Sequence, residues 1–187
     1  MKFLPAAVCV LCLLSACITR RADHFYILST QPQGASTSRT TPATQVALRV
    51  TVPSWVDRFE MVLNTSADGA VVLEHERWAA PLADLASQAL ARDLEQRRSD
   101  LLVTDSSANH AGALTITVNV VQVTVHRGGR ASIDAHWRIV DPRTGKDALG
   151  GDVFSAPLRQ DSYAAVASAL SECFGLLADR LTGQIRP

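Results

Sequence analysis

The side chains here that could do chemistry are four cysteines and five histidines. Thiolates act as nucleophiles and metal ligands, and imidazoles shuttle protons or bind metals. Their spacing decides among these roles. His24, His75, His110, His126 and His136 include no i, i+4 helical pair and no His-Glu-x-x-His, so no metal site is expected. His136 shares the polar face of an expected strand with Asp134, as solvated strand faces commonly do. No Gly-x-Ser-x-Gly or Ser-x-x-Lys motif supplies a serine nucleophile. Gly128-Gly129 and Gly150-Gly151 lie among β-forming residues, which makes them turn or bulge devices and not phosphate loops. Cys173 falls on an apolar helical stripe, where a thiol behaves as a small hydrophobe. No residue is therefore expected to be catalytic. Cys17 stands apart, directly after Leu14-Ser15-Ala16 and a short apolar run that begins behind Lys2.

A charged start, an apolar stretch of about a dozen residues and small residues before a cut describe a secretory signal peptide. The run is too short to span a bilayer, which takes roughly 20 apolar residues. Leu14-Ser15-Ala16-Cys17 resembles the bacterial lipobox, in which the Cys thiol is acylated and becomes the new N-terminus. This divides the chain into a cleaved signal peptide at 1–16, a lipidated tether at 17–22 and a domain at 23–187. The covalent lipid on Cys17, with palmitate among its acyl groups, is the one non-protein component expected; no cofactor is. One acyl chain binds a membrane only reversibly, so the several chains of such a lipoprotein make attachment permanent. By resemblance to the Gram-negative sorting rule, Ile18 in place of Asp directs the protein to the periplasmic face of the outer membrane. An ordinary signal peptide with an incidental Cys17 is the plainer alternative.

Nearly half of the 187 residues are apolar, 47%, enough for a sizeable core in one domain. Once Lys2 leaves with the signal peptide, 17 basic residues stand against 18 acidic ones, with no basic cluster of the kind nucleic acid requires. Cys9 and Cys12 also leave, and Cys17 carries lipid. Only Cys173 keeps a thiol, so the processed chain has no internal disulfide.

The elements follow from patterning. Residues 24–28 read as a strand. Residues 31–44, rich in Ser, Thr, Pro and Gly without apolar periodicity, read as a flexible loop. Residues 46–52 form a second strand, stopped by Pro53. Trp55 and Phe59 follow in a short turn and are expected to fold back onto the core, with exposure to a partner or lipid as the alternative. An Asp68-Gly69 hairpin joins strands at 61–64 and 70–74. Pro81 opens a helix whose stripe is Leu82, Leu85, Ala86, Ala89, Leu90 and Leu94, ending near Arg98. Residues 114–125 and 132–139 make a long hairpin about Gly128-Gly129. The apolar positions change parity at Val121, which implies a bulge or a stretch buried on both faces. A strand at 148–156 precedes a last helix, capped by Asp161 or Ser162, with the stripe Tyr163, Val166, Leu170, Cys173, Phe174, Leu177 and Leu181. The expected fold class is α/β (α+β-like): a single domain with a mixed, largely antiparallel sheet, including the long hairpin, covered by two main helices.

The order of these pieces resembles the PqiC family of ABC-type transport auxiliary lipoproteins. A lipobox is followed by Phe25-Tyr26-Ile27-Leu28 and Val50-Thr51-Val52-Pro53. Arg77-Trp78-Ala79-Ala80-Pro81-Leu82 then opens a helix, ahead of a Val/Thr-rich hairpin and a C-terminal amphipathic helix. The resemblance covers essentially the whole processed chain; the insert at 31–44 is a departure from it. It implies an outer-membrane lipoprotein working with an MCE-domain protein and an ABC permease and ATPase, whose cargo is phospholipid or another hydrophobic molecule. It implies no enzymatic role and is compatible with a homo-oligomer. Trp55, Phe59 and Trp78 are the candidates for partner or lipid contact, with a structural role preferred for Trp78. Two other readings stay open: an assembly or pilot lipoprotein of another envelope machine, and a periplasmic hydrolase.

Overall fold

The hairpin of β6 (Leu114–Val125) and β7 (Arg130–Asp141) is the spine of the molecule. In this computed structural model the described residues are 21–30, 44–66, 68–105 and 112–185. The signal peptide, Cys17 and Ile18, His110 and almost all of the 31–44 loop lie outside them.

β7 pairs antiparallel with β6 and with β8 (Lys146–Pro157). β2 (Thr44–Thr51) runs parallel to β6 on one side and to β5 (Leu101–Asp105) on the other. These five strands form one sheet in the order β5-β2-β6-β7-β8. β1 (His24–Tyr26), β4 (Ala70–Trp78) and β3 (Glu60–Asn64) form a second sheet, with β4 central. The expected single sheet is thus divided in two. Strand pairing is a long-range choice that local pattern does not encode. The two sheets still share one core, because Met61, Leu63 and Trp78 of the small sheet join the same buried cluster as β2, β6 and β7. The side chain of Asn64 holds them together, its Oδ1 accepting the Val125 N–H at 2.8 Å.

The parity change in β6 is a bulge. Register slips between Val120 and Gln122, which leaves Val121 as the extra residue, facing out. Leu114, Ile116, Val118 and Val120 before it, and Val123 and Val125 after it, are all buried.

Helices α1 (Leu82–Arg97) and α2 (Tyr163–Thr182) cover the apolar face of the large sheet. Every residue of the expected α1 stripe is buried, and Asp93 is buried among them. The α2 stripe is buried from Val166 to Leu181. Pro81 precedes α1 without capping it; instead Asp57, in the turn after β2, accepts the Ala83 N–H through Oδ1 at 3.0 Å. Ser162 caps α2, its Oγ accepting from the Ala165 N–H at 3.2 Å. Gly183 ends α2 with φ −64°, so the left-handed freedom of glycine is not what stops the helix.

The N-terminal segment docks at both ends of this architecture. Tyr26 O accepts the Ala79 N–H beside α1, and directly after the buried Leu28 the Ser29 N–H donates to Ser171 Oγ in the middle of α2, at 3.0 Å.

Candidate functional site

Of the nominated contact residues, Trp78 is built into the core and the other two are not. Trp78 is 2% exposed at the end of β4. Its N–H donates to Phe59 O at 2.6 Å, and the next N–H, on Ala79, donates to Tyr26 O at 2.8 Å. This strand end therefore holds β1 on one side and the 53–59 turn on the other, which is the structural role preferred for Trp78. Trp55 and Phe59 are 42% and 46% exposed, against the expectation that they fold back onto the core. Val56 takes the buried position between them. The turn explains why: the Val56 and Asp57 N–H groups both bond to Pro53 O, and Asp57 is committed to capping α1. With Val56 facing in, its aromatic neighbours face out.

Around β1 the polar groups are matched in pairs across strands. Tyr26 Oη donates to Glu76 Oε2 at 2.6 Å. Burial, then the adjacent Glu76 carboxylate, push the Tyr26 hydroxyl up to about 12. His24 Nδ1 lies 3.2 Å from Glu76 Oε1, and His75 Nδ1 lies 3.0 Å from Asp23 Oδ1. His75, Glu76 and Arg77, adjacent in sequence, each find a partner elsewhere, Arg77 reaching Glu60 Oε1 at 3.2 Å. Sequence reading also missed Phe25 and Ile27, which lie outward in this segment, 63% and 60% exposed. A two-residue alternation over 24–28 is the signal that could have found them.

Among the described residues, His136 and Cys173 lie apart from this region and from each other. His136 lies in a shallow trough of about 550 Å³, open to solvent, on the outer face of the large sheet, lined with Thr117, Asn119, Arg138 and Leu149 among others. Its Nε2 is 3.8 Å from Asp134 Oδ1, too long for a direct hydrogen bond. Arg138 is committed to Asp147 and holds that carboxyl below its usual range. The Cys173 thiol is buried, 3.5 Å from Ala131 O, and burial pushes it up to about 12, so it is a poor nucleophile. Among the described residues no three His, Cys, Asp or Glu side chains converge as metal ligands, and no helix is long and apolar enough to cross a membrane.

Comparison with known proteins adds a family. The model of the ABC-type transport auxiliary lipoprotein component matches residues 26–182, from the end of β1 to the end of α2. No curated protein sequence matches the chain. Among solved structures, the fold is similar to the crystal structure of an uncharacterized protein, with a TM-score of 0.74 and 17% identity over 89% of this chain and 100% of that one. It is similar as well to a protein from Xanthomonas campestris, with a TM-score of 0.64 and 14% identity over 87% of this chain and 94% of that one. At such identities the likeness is one of fold.

Proposed function

The chain belongs to the family of ABC-type transport auxiliary lipoproteins, and on that premise we propose that it is a non-enzymatic accessory subunit of an ABC/MCE-type system moving phospholipid or another hydrophobic cargo between membranes. Lipid on Cys17 holds it at the periplasmic face of the outer membrane, with Ile18 as the sorting residue. The observation that carries this reading is the extent of the family match, which takes in both sheets and both helices. The physics agrees with it. ATP hydrolysis by the partner ATPase supplies the work, so this subunit needs an anchor, a stable domain and a surface for its partner. Trp55 and Phe59 are the residues proposed to meet the MCE-domain protein. They are large, outward and backed by a turn whose backbone is fixed on Pro53 O and α1. Aromatic anchors of this kind dominate binding energies.

The experiment is anchor removal. Cys17→Ser is expected to shift the protein from the outer-membrane fraction to the soluble periplasm and to reproduce the envelope defect of a deletion. Ile18→Asp is expected to retain it at the inner membrane. Full complementation by the unlipidated chain would sink the tethering argument. Trp55→Ser with Phe59→Ser should abolish co-purification of the MCE-domain protein while leaving the circular dichroism unchanged. Recovery of a secretin, and never of an MCE protein, would move the assignment to an assembly lipoprotein.

A further inference from the structure

We propose that Phe25 and Ile27 form a membrane-contacting wedge, seated at the headgroup–acyl boundary of the bilayer that carries the anchor; this rests on the lipidation of Cys17. The wedge arises from a two-residue alternation. Tyr26 turns inward with its hydroxyl on Glu76. Leu28 is buried, and the Ser29 N–H is fixed on Ser171 Oγ. Side chains of an extended segment alternate sides, so Phe25 and Ile27 are forced out together. Neither can turn inward without tearing Tyr26 or Leu28 from its place.

Tether length identifies the occupant. Phe25 lies eight residues beyond Cys17. A chain spans at most about 3.5 Å per residue, so Phe25 stays within about 28 Å of the acylated atom. A domain of this size is about 40 Å across, from a radius of gyration of about 15 Å. The leash is shorter than the body it holds, and the face from which it departs is kept toward the bilayer. That face presents an aromatic and a β-branched side chain, with the exposed Arg21 between them and the anchor. Aromatic rings favour the interfacial layer, and a basic residue favours anionic headgroups. The surrounding polar groups oppose this little, because they are already matched: His24 with Glu76, His75 with Asp23, and Arg77, the cross-strand neighbour of Phe25, with Glu60. A second protein chain could cover the same pair, but the anchor brings only the bilayer there without a further binding event.

The test uses the full lipidated chain, with Trp55→Phe to remove the exposed indole, in vesicles of phosphatidylethanolamine and phosphatidylglycerol with brominated acyl chains. Phe25→Trp and, separately, Ile27→Trp are compared with Leu149→Trp, which sits 78% exposed on β8 of the other sheet. The added emission at 25 and at 27 is expected to be blue-shifted and lost to bromine, and that at 149 to persist. Flotation of the same samples reads the anchor independently. Floating chains whose added indole at 25 and 27 is unquenched overturn the wedge and leave the anchor standing. So does equal quenching at 149, which would mean that the domain lies on the membrane without a preferred face. A parent chain that does not float sinks the anchor, and the wedge with it.

Discussion

A Cβ on Gly150 would fall 2.5 Å from the ring of Trp137, and one on Gly151 would fall 2.8 Å from the ring of His136. The two clashes differ in what can yield. Trp137 is buried, its Nε1 donates to Gln184 Oε1 at 3.1 Å, and it packs against Phe154. His136 is exposed and can swing away. Gly150→Ala is therefore expected to cost about 2 kcal/mol as overpacking, read as a Tm drop of about 4–8 °C. Gly151→Ala should change Tm little; equal losses in calorimetry would refute the distinction. The sequence suggests a turn or bulge device at this pair, yet each glycine is the space a neighbouring ring occupies. The Cys173 thiol allows a second forecast. Its folded value is raised to about 12 by burial, from 9.0. The folded state thus keeps a proton that the unfolded chain releases first, and unfolding gains favour as pH rises through that interval. Stability from this source is whole below about pH 9 and declines above it. In urea titrations Cys173→Ala should flatten the alkaline decline between pH 9 and 10. The parent thiol should stay inert to Ellman's reagent until the protein unfolds.

The helices and the hairpin were legible because each follows a local period. The α1 stripe, the α2 stripe and the bulge at Val121 all come from spacing within one element. Other features depend on partners far along the chain. These include the parallel seat of β2 between β5 and β6, the separation of the small sheet and the outward setting of Trp55 and Phe59. The lipobox reading at Leu14-Ser15-Ala16-Cys17 is local in the same way and lies outside the described residues. The wedge was not legible in this way, since it exists only because Leu28 and Tyr26 have burial sites elsewhere. Asp93 was also hidden. It lies in the α1 stripe facing Arg97, whose guanidinium reaches Asp93 Oδ1 at 3.0 Å, Asp179 Oδ1 at 2.6 Å and Gly175 O at 2.9 Å. This lock joins the two helices. Arg97→Ala should cost about 3 kcal/mol, because it takes the cation away from a buried carboxylate. Asp179→Asn, at a half-exposed position, should cost within about 1 kcal/mol. A similar loss in both, measured by chemical denaturation, would argue against a buried lock.

Taken together, the described residues form two sheets but a single apolar interior, since Met61, Leu63 and Trp78 belong to the same cluster as Leu90, Ile133 and Phe174. Unfolding should therefore be one transition. Near-ultraviolet circular dichroism, dominated by buried Trp78 and Trp137, should melt together with far-ultraviolet signal from the large sheet. An early loss of the near-ultraviolet signal would mean that the small sheet is a separate unit. The bond between the Ser29 N–H and Ser171 Oγ links residues 142 positions apart. A ribosome makes the first of these long before the second. β1 can already pair with β4 by then, but Ser29 has no partner on α2 until the final helix exists, and contacts of such separation form late. Every nascent chain must keep the segment after β1, with its exposed Ile27, away from wrong neighbours during that wait. For a protein of this build, a stop codon before residue 171 removes the landing site of Ser29 along with most of the last helix.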